Sequence, residues 1–199
     1  KKYLREHYQI EIKAYLKAMG SIVAEQFDRD AIEKNPFYFP DNTKLDALES
    51  LVTELRRAGD SVGARVDASV TGVPVGWGEP VFAKLNAEIA GALMGINAAK
   101  AVEMGDGFAV VEQLGSQHRD EITPEGFITN HSGGILGGIS TGQDLRVSVA
   151  FKPASSIRIS GRSITLNNET AEVVTTGRHD VCVGIRAVPV VEAMLALVL

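Results

Sequence analysis

Between positions 62 and 71 apolar and polar residues alternate. Val62, Ala64, Val66, Ala68 and Val70 fall on one side, and Gly63, Arg65, Asp67, Ser69 and Thr71 on the other. A two-residue period is that of a half-buried strand whose second face meets water or a ligand. Leu145, Val147, Val149 and Phe151 repeat the pattern and predict a strand over 144–152, and Ile157 with Ile159 suggests another. The period changes to that of a helix over 43–58, where Leu45, Leu48, Leu51, Val52 and Leu55 share a face. Thr43 is placed to cap that helix and Gly59 to end it. A second helix is expected over 80–94, with Pro80 in its first turn and Phe82, Leu85, Ile89 and Leu93 inward. A third is expected over 107–116, and a last one over 187–199 with Val188, Val191, Leu195 and Val198 inward. A strand is expected near 127–129. Residues 28–42 read as an irregular connector whose aromatics plug a loop.

Composition narrows the classes. The 199 residues can build one large domain or two small ones, with an ordinary soluble balance of 45% hydrophobic and 23% charged residues. The net charge of −5 argues against nucleic acid or an anionic membrane as partner. Residues 1–143 carry 14 Lys/Arg against 20 Asp/Glu, whereas residues 144–186 carry six against four. That local basic zone suits an anionic small ligand. A single cysteine, Cys182, excludes an internal disulfide and a cysteine-rich metal site, and fits a reducing compartment. The four histidines show no ligand spacing, so no metal is expected. No apolar run reaches the roughly 18 residues of a membrane span. The chain opens without methionine and stops inside an apolar run, so both ends read as cut.

Three segments carry candidate chemistry, each open to two readings. Asn130–Gly142 holds five glycines within ten residues. It is either a tight turn or a stretch of bare backbone that a flat or anionic ligand can approach. It is neither a P-loop nor a dinucleotide fingerprint, because the spacing differs. Lys152-Pro153-Ala154-Ser155-Ser156 offers a cation and two hydroxyls at a strand end, for a phosphate or as a plain polar turn. Arg178-His179-Asp180 offers an anion clamp and a proton carrier, or a surface salt bridge or helix cap. Glu192 falls within an apolar helix and needs a partner that the sequence does not name.

Taken together these segments resemble the chorismate synthase family. The resemblance rests on Arg178-His179-Asp180 with Val190-Val191-Glu192-Ala193, and on Gly133-Gly134-Ile135-Leu136-Gly137-Gly138-Ile139-Ser140. Phe151-Lys152-Pro153 with Ser156-Ile157, Ile96-Asn97-Ala98 with Lys100, Gly105-Asp106-Gly107-Phe108 and Gly59–Gly63 add to it. It implies an α/β (α+β) layered fold, with antiparallel sheets and helices packed between them, usually assembled as a homotetramer in the cytoplasm. It implies a lyase that converts 5-enolpyruvylshikimate 3-phosphate to chorismate and phosphate by 1,4-anti elimination, dependent on reduced FMN, with NADP as an associated nucleotide. Flavin contacts then fall on Asn97, Ala98, Gly137, Lys152, Pro153, Ala154, Ser155, Ser156 and Arg178, and the catalytic carboxylate on Asp180. The family's early segments, with its histidines and substrate arginines, have no counterpart here. The whole chain, 1–199, therefore corresponds to the C-terminal portion of a single domain, expected to be inactive alone. A non-catalytic flavin-binding protein and an oligomerisation domain are the competing classes.

Overall fold

The computed structural model describes residues 1–177 and 179–199. The chain runs α1 (Lys2–Tyr8), β1 (Glu11–Met19), β2 (Ile22–Val23), α2 (Leu45–Ala58), β3 (Ala64–Thr71), α3 (Leu85–Met94), β4 (Ala99–Met104), α4 (Gly115–His118), β5 (Ile122–Thr123), β6 (Gly126–Phe127), β7 (Ile135–Leu136), β8 (Ile139–Ser140), β9 (Leu145–Phe151), β10 (Gly161–Ile164), β11 (Thr170–Val173) and α5 (Val183–Val198). Five strands form one antiparallel sheet in the order β2-β1-β3-β9-β4, and three two-stranded hairpins stand apart from it. This is the mixed α/β class with antiparallel sheets that the resemblance implies.

One sheet face is the core. Ile12, Ala14 and Leu16 of β1, Val66, Ala68 and Val70 of β3, and Leu145, Val147 and Val149 of β9 are all buried. Over them lies a helical layer: α5 crosses β1 and β3, and α3 packs against β4 and α5. Alternate residues of the same strands, among them Tyr15, Asp67, Ser69 and Ser148, stay partly exposed on the opposite face. Period-two burial is the direct consequence of the pleat. Edge donors of β1 are satisfied from outside the sheet: the Leu16 amide donates to the Tyr38 carbonyl at 2.9 Å. The Ala14 amide donates to Oε1 of Glu192 at 2.8 Å. That bond, with Lys1 at Oε2, supplies the partners that the Glu192 carboxylate requires inside α5.

Several expectations hold and several shift. The long strands fall within one or two residues of 62–71 and 144–152. The first helix starts at Leu45, after a 3-10 turn (Asn42–Lys44) capped by the Asp41 carboxylate, not by Thr43. Four hydrogen bonds, from the Thr43 hydroxyl and from the amides of Glu25, Gln26 and Thr43, converge on Asp41. The Thr43 bond, ahead of opposing burial, lowers the Asp41 pKa to about 2. Gly59 ends the helix in the left-handed conformation at φ 72°, as expected. In the connector, Phe37 and Phe39 are buried plugs.

The second helix begins only at Leu85. Residues 79–84 form a turn closed by reciprocal Glu79–Ala83 backbone bonds, which leaves Phe82 almost fully exposed. The third is a 3-10 segment, Gly107–Glu112, followed by the single turn of α4. No strand forms at 157–159; the chain pairs later, as β10 with β11. The last helix starts four residues earlier than expected and runs through Pro189. The strand expected at 127–129 is the short β6, paired with β5.

Candidate functional site

The segments singled out from sequence meet at one end of the sheet. Phe151 closes β9 opposite Ala99 of β4 and Ala64 of β3. The next amide, Lys152, donates to the Ala98 carbonyl at 2.9 Å, tying the 152–156 loop to the turn after α3. Ala98 holds φ 70°, a left-handed conformation that costs a non-glycine residue roughly 1–2 kcal/mol. Strain of that kind, held by the surrounding bonds, fits a position where backbone direction matters. The Ser61 hydroxyl donates to the Ala154 carbonyl at 2.7 Å, and the Val62 amide to the Val181 carbonyl at 2.8 Å. These bonds gather Asn97, Ala98, Lys152–Ser156 and Asp180 around the start of β3. Asn97, Lys152, Ser155 and Ser156 are exposed, so their polar groups are free to meet a ligand.

Next to them opens a cavity of about 800 Å³. It is lined by Arg56, Gly59, Asp60, Ile157, Arg158, His179, Asp180 and Arg186, among others. A cleft of about 490 Å³ on the other side of Asp180 shares Arg56, Asp180, Val181 and Arg186 with it. Arg186 Nη2 lies 3.3 Å from Oδ1 of Asp180, with both side chains substantially exposed. The N-terminus of α5 begins three residues after Asp180, and its dipole favours a carboxylate there. Nε2 of His179 is buried with no hydrogen-bond partner among the described residues. An orphaned donor or acceptor at a cavity wall, beside three arginines, is an unmet demand for a polar ligand atom. Cys182, the residue before α5, is buried, and that burial raises its pKa. It is therefore a poor nucleophile. Arg178 lies outside the described residues.

Gly137 does not join this group. It forms the turn between β7 and β8 with Gly138, at φ 62° and 91°, the pair of left-handed residues that a two-residue hairpin demands. The Gly138 carbonyl accepts from the Leu85 amide at 2.9 Å, at the start of α3, whereas Asn97 follows its end. Ten helical residues separate the two points by about 15 Å. The base of the hairpin contacts Asp144, before β9, and the Lys152 loop follows that strand, about 20 Å away at 3.3 Å per residue.

The hairpin end of the sheet has its own polar cluster, missed by reasoning on histidine spacing. Asp106 Oδ2 lies 2.6 Å from Nδ1 of His131 and accepts from Gln113 Nε2 at 2.7 Å. Gln113 Oε1 in turn lies 2.7 Å from Nδ1 of His118. Asp120 accepts from the His131 amide, the Ser132 amide and the Thr129 hydroxyl, at 2.7, 3.0 and 2.8 Å. Burial alone would raise the Asp120 pKa, but these bonds outweigh it and lower it to about 2. The cluster ties the 105–132 excursion down. Among the described residues, no group of three or more His, Cys, Asp or Glu could hold a metal ion. No described helix is long and apolar enough to cross a membrane. Arg56, Asp60 and Arg158 are the site residues that sequence reasoning passed over. Their signal was the Gly59–Gly63 segment, which the last turn of α2 runs into.

An antiparallel sheet under a two-helix layer, with a strained turn, an arginine-lined cavity and a carboxylate at one sheet end, defines a mixed α/β protein. The comparisons name the family. The family model described as "Chorismate synthase" matches residues 1–199, and the chain belongs to the chorismate synthase family. A solved structure titled "Crystal Structure of Chorismate Synthase" superposes with a TM-score of 0.80 at 26% identity, covering 100% of this chain. The chain spans 57% of the length of that structure.

Proposed function

We propose that this chain supplies one part of the active site of a chorismate synthase: a lyase of the shikimate pathway that eliminates phosphate from 5-enolpyruvylshikimate 3-phosphate. Family membership over all 199 residues carries the reading. The cavity next to the end of β9 supports it, because three arginines and the Asp180 carboxylate around one space are groups that a phosphate-bearing ring can use.

Reduced FMN fits this cluster in part. Its residues in this chain would be Asn97, Ala98 and Lys152 through Ser156, with Arg178 assigned from the resemblance alone. The orphaned His179 nitrogen and the strained Ala98 turn are the observations that favour a bound polar group there. When bound, the reduced flavin supplies electron density to an allylic system as its leaving group departs. The chain's own residues bind, orient and move a proton. The ammonium of Lys152 and the Ser155 and Ser156 hydroxyls hold anionic or carbonyl oxygens. Arg56, Arg158 and Arg186 make the cavity wall favourable to negative charge. Asp180 accepts the ring proton at the carboxylate oxygen that Arg186 does not engage, since Oδ1 already faces the guanidinium. A competing reading also has an observation behind it: the Arg186 pair could make Asp180 purely a surface ion-pair partner.

The test is an anaerobic assay of the intact protein with chemically reduced FMN and the enolpyruvyl phosphate. Chorismate formation is expected there and not with the 199-residue chain alone. Turnover by the isolated chain at the rate of the intact protein would overturn the divided-site reading. The cytoplasmic location and the four-copy assembly are likewise proposals from the family resemblance.

A further inference from the structure

Resting on the reading above, in which the cavity beside Asp180 serves the enolpyruvyl phosphate, we infer that His179 is a further ligand-contacting residue. Its Nε2 donates a hydrogen bond to an anionic oxygen of the molecule that the cavity arginines draw in. His179 stands in the short run between the β10–β11 hairpin and α5, and it lines the larger cavity with Arg56, Arg158 and Arg186. Asp180 borders both that cavity and the smaller cleft, whereas His179 borders only the larger one.

The imidazole has a built seat. Gly177 holds φ 126°, a conformation that residues with side chains rarely adopt. A Cβ placed on it would lie 3.8 Å from Nε2 and 3.9 Å from Cε1 of His179, so the ring packs against this backbone. Two residues beyond the ring, the Val181 carbonyl is held by the Val62 amide at 2.8 Å. Nε2 is buried there without a hydrogen-bond partner among the described residues. The polar groups nearby are engaged elsewhere. Oδ1 of Asp60 accepts from the Ser61 amide at 2.8 Å, the Ser61 hydroxyl donates to the Ala154 carbonyl, and Oδ1 of Asp180 faces Arg186. A buried ring nitrogen left unpaired is costly, so a ligand atom that pairs with it gains accordingly.

The arginines decide what kind of atom that is. Guanidiniums only donate, so the molecule they attract is anionic and offers acceptor oxygens, and Nε2 must then be the donor. Arg56, Arg158 and Arg186 are all exposed side chains. They draw an anion in without fixing its orientation. The seated imidazole fixes it, and Asp180, the next residue, meets a molecule already oriented.

Titration calorimetry on the intact protein with oxidised FMN reads binding without turnover. The probes are the enolpyruvyl phosphate, inorganic phosphate and chorismate, the last bearing carboxylates but no phosphate. His179→Phe keeps a ring over Gly177 and removes the donor. It should bind the enolpyruvyl phosphate about tenfold more weakly, with no lower melting temperature. His179→Gln, whose amide nitrogen reaches the Nε2 position, should recover most of the affinity. His179→Asn, whose amide reaches only the Nδ1 position, should not, and it replaces the Phe arm should that variant fail to fold. A parallel loss for inorganic phosphate assigns the bond to a phosphate oxygen; a parallel loss for chorismate assigns it to a carboxylate. Unaltered affinity for all three probes, or equal affinity of the Gln and Asn variants, would overturn the inference while chorismate formation by the wild type keeps the proposed function. Loss of phosphate binding in a protein whose wild type makes no chorismate would instead overturn the proposed function and leave the contact standing. A wild type that binds none of the probes overturns both.

Discussion

The two ends of the five-stranded sheet are built from similar materials to different effect. At the hairpin end, polar groups are spent on one another, apart from the buried Oδ1 of Asn130, which has no partner among the described residues. Asp106, His131, Gln113 and His118 form a chain, Asp120 takes three donors, and Ser140 donates to the Pro74 carbonyl at 2.5 Å while accepting from the Trp77 amide at 2.8 Å. At the cavity end they are held back: Lys152, Ser155 and Ser156 reach solvent, His179 has an orphaned nitrogen, and Asp180 has one exposed partner. Satisfied networks rigidify a loop, whereas unsatisfied groups at a cavity wall leave binding energy for a ligand. The contrast teaches that polar density alone does not mark a site; unspent polarity at a cavity wall, as at His179, does.

The largest effect should come from the cavity end. In the intact enzyme with saturating reduced FMN, Asp180→Asn is expected to lower turnover by roughly 10²-fold or more, the usual range for a lost proton carrier. The melting temperature should change little. Unaltered turnover in a stable variant removes Asp180 from the chemistry and leaves it as Arg186's partner.

At the opposite end the expected losses are of stability. Gly105 sits at φ 57°, and an added Cβ would lie 2.6 Å from the Gly133 amide and 2.7 Å from Ser132 backbone. Gly105→Ala should therefore destabilise the fold by about 2–3 kcal/mol, measured by urea titration. A smaller loss would mean that the excursion yields easily and is not the clamp its bonds suggest.

Asp120→Ala should cost about 1–3 kcal/mol at neutral pH through its orphaned donors. The native Asp120 pKa, about 2, lies below its ordinary value of 3.8. Its contribution is thus fully present above pH 4 and is lost as pH falls from 4 through 2. The variant should show a shallower stability slope over that window. The slope should not vanish, because Asp41 titrates in the same range. A slope identical to wild type would show that Asp120 is not held by these bonds in solution.

The smallest effect should be that of Arg186→Ala on stability, below about 1 kcal/mol, because the pair with Asp180 is exposed. A loss well above that, read from a melting curve, would turn the cavity end into a structural site like the other and dissolve the contrast.

How much of this was legible in the residues depends on range. The strands β3 and β9 announced themselves because alternation of Val and Ala with polar neighbours has a single economical burial. Strand β1 alternates too, through Ile12, Ala14 and Leu16, but Tyr15 on its open face and the bulge after Leu16, which brings Met19 inward one position late, blur the contrast. The helix expected over 80–94 forms only from Leu85, because Phe82 shares its helical spacing by coincidence and the chain there is turned by the Glu79–Ala83 bonds. At the other terminus the helix expected from residue 187 starts at Val183, and Pro189 lies in its second turn, tolerated because Gly184 and Ala187 before it are buried in the packing.

What the sequence determined alone is local or compositional: the strand and helix periods, the glycine turns, the family motifs and the residues able to carry charge. Which of those residues share a site was decided by tertiary structure. Gly137 and Lys152 lie only 15 positions apart in the chain, yet an extended β9 drives them to opposite ends of the sheet. Arg56 and Asp180, 124 positions apart, line one cavity because the Val62 amide donates to the Val181 carbonyl and so seals α2's end against the start of α5. Sequence separation measures contour length; a strand converts it into distance at about 3.3 Å per residue, and a returning chain cancels it.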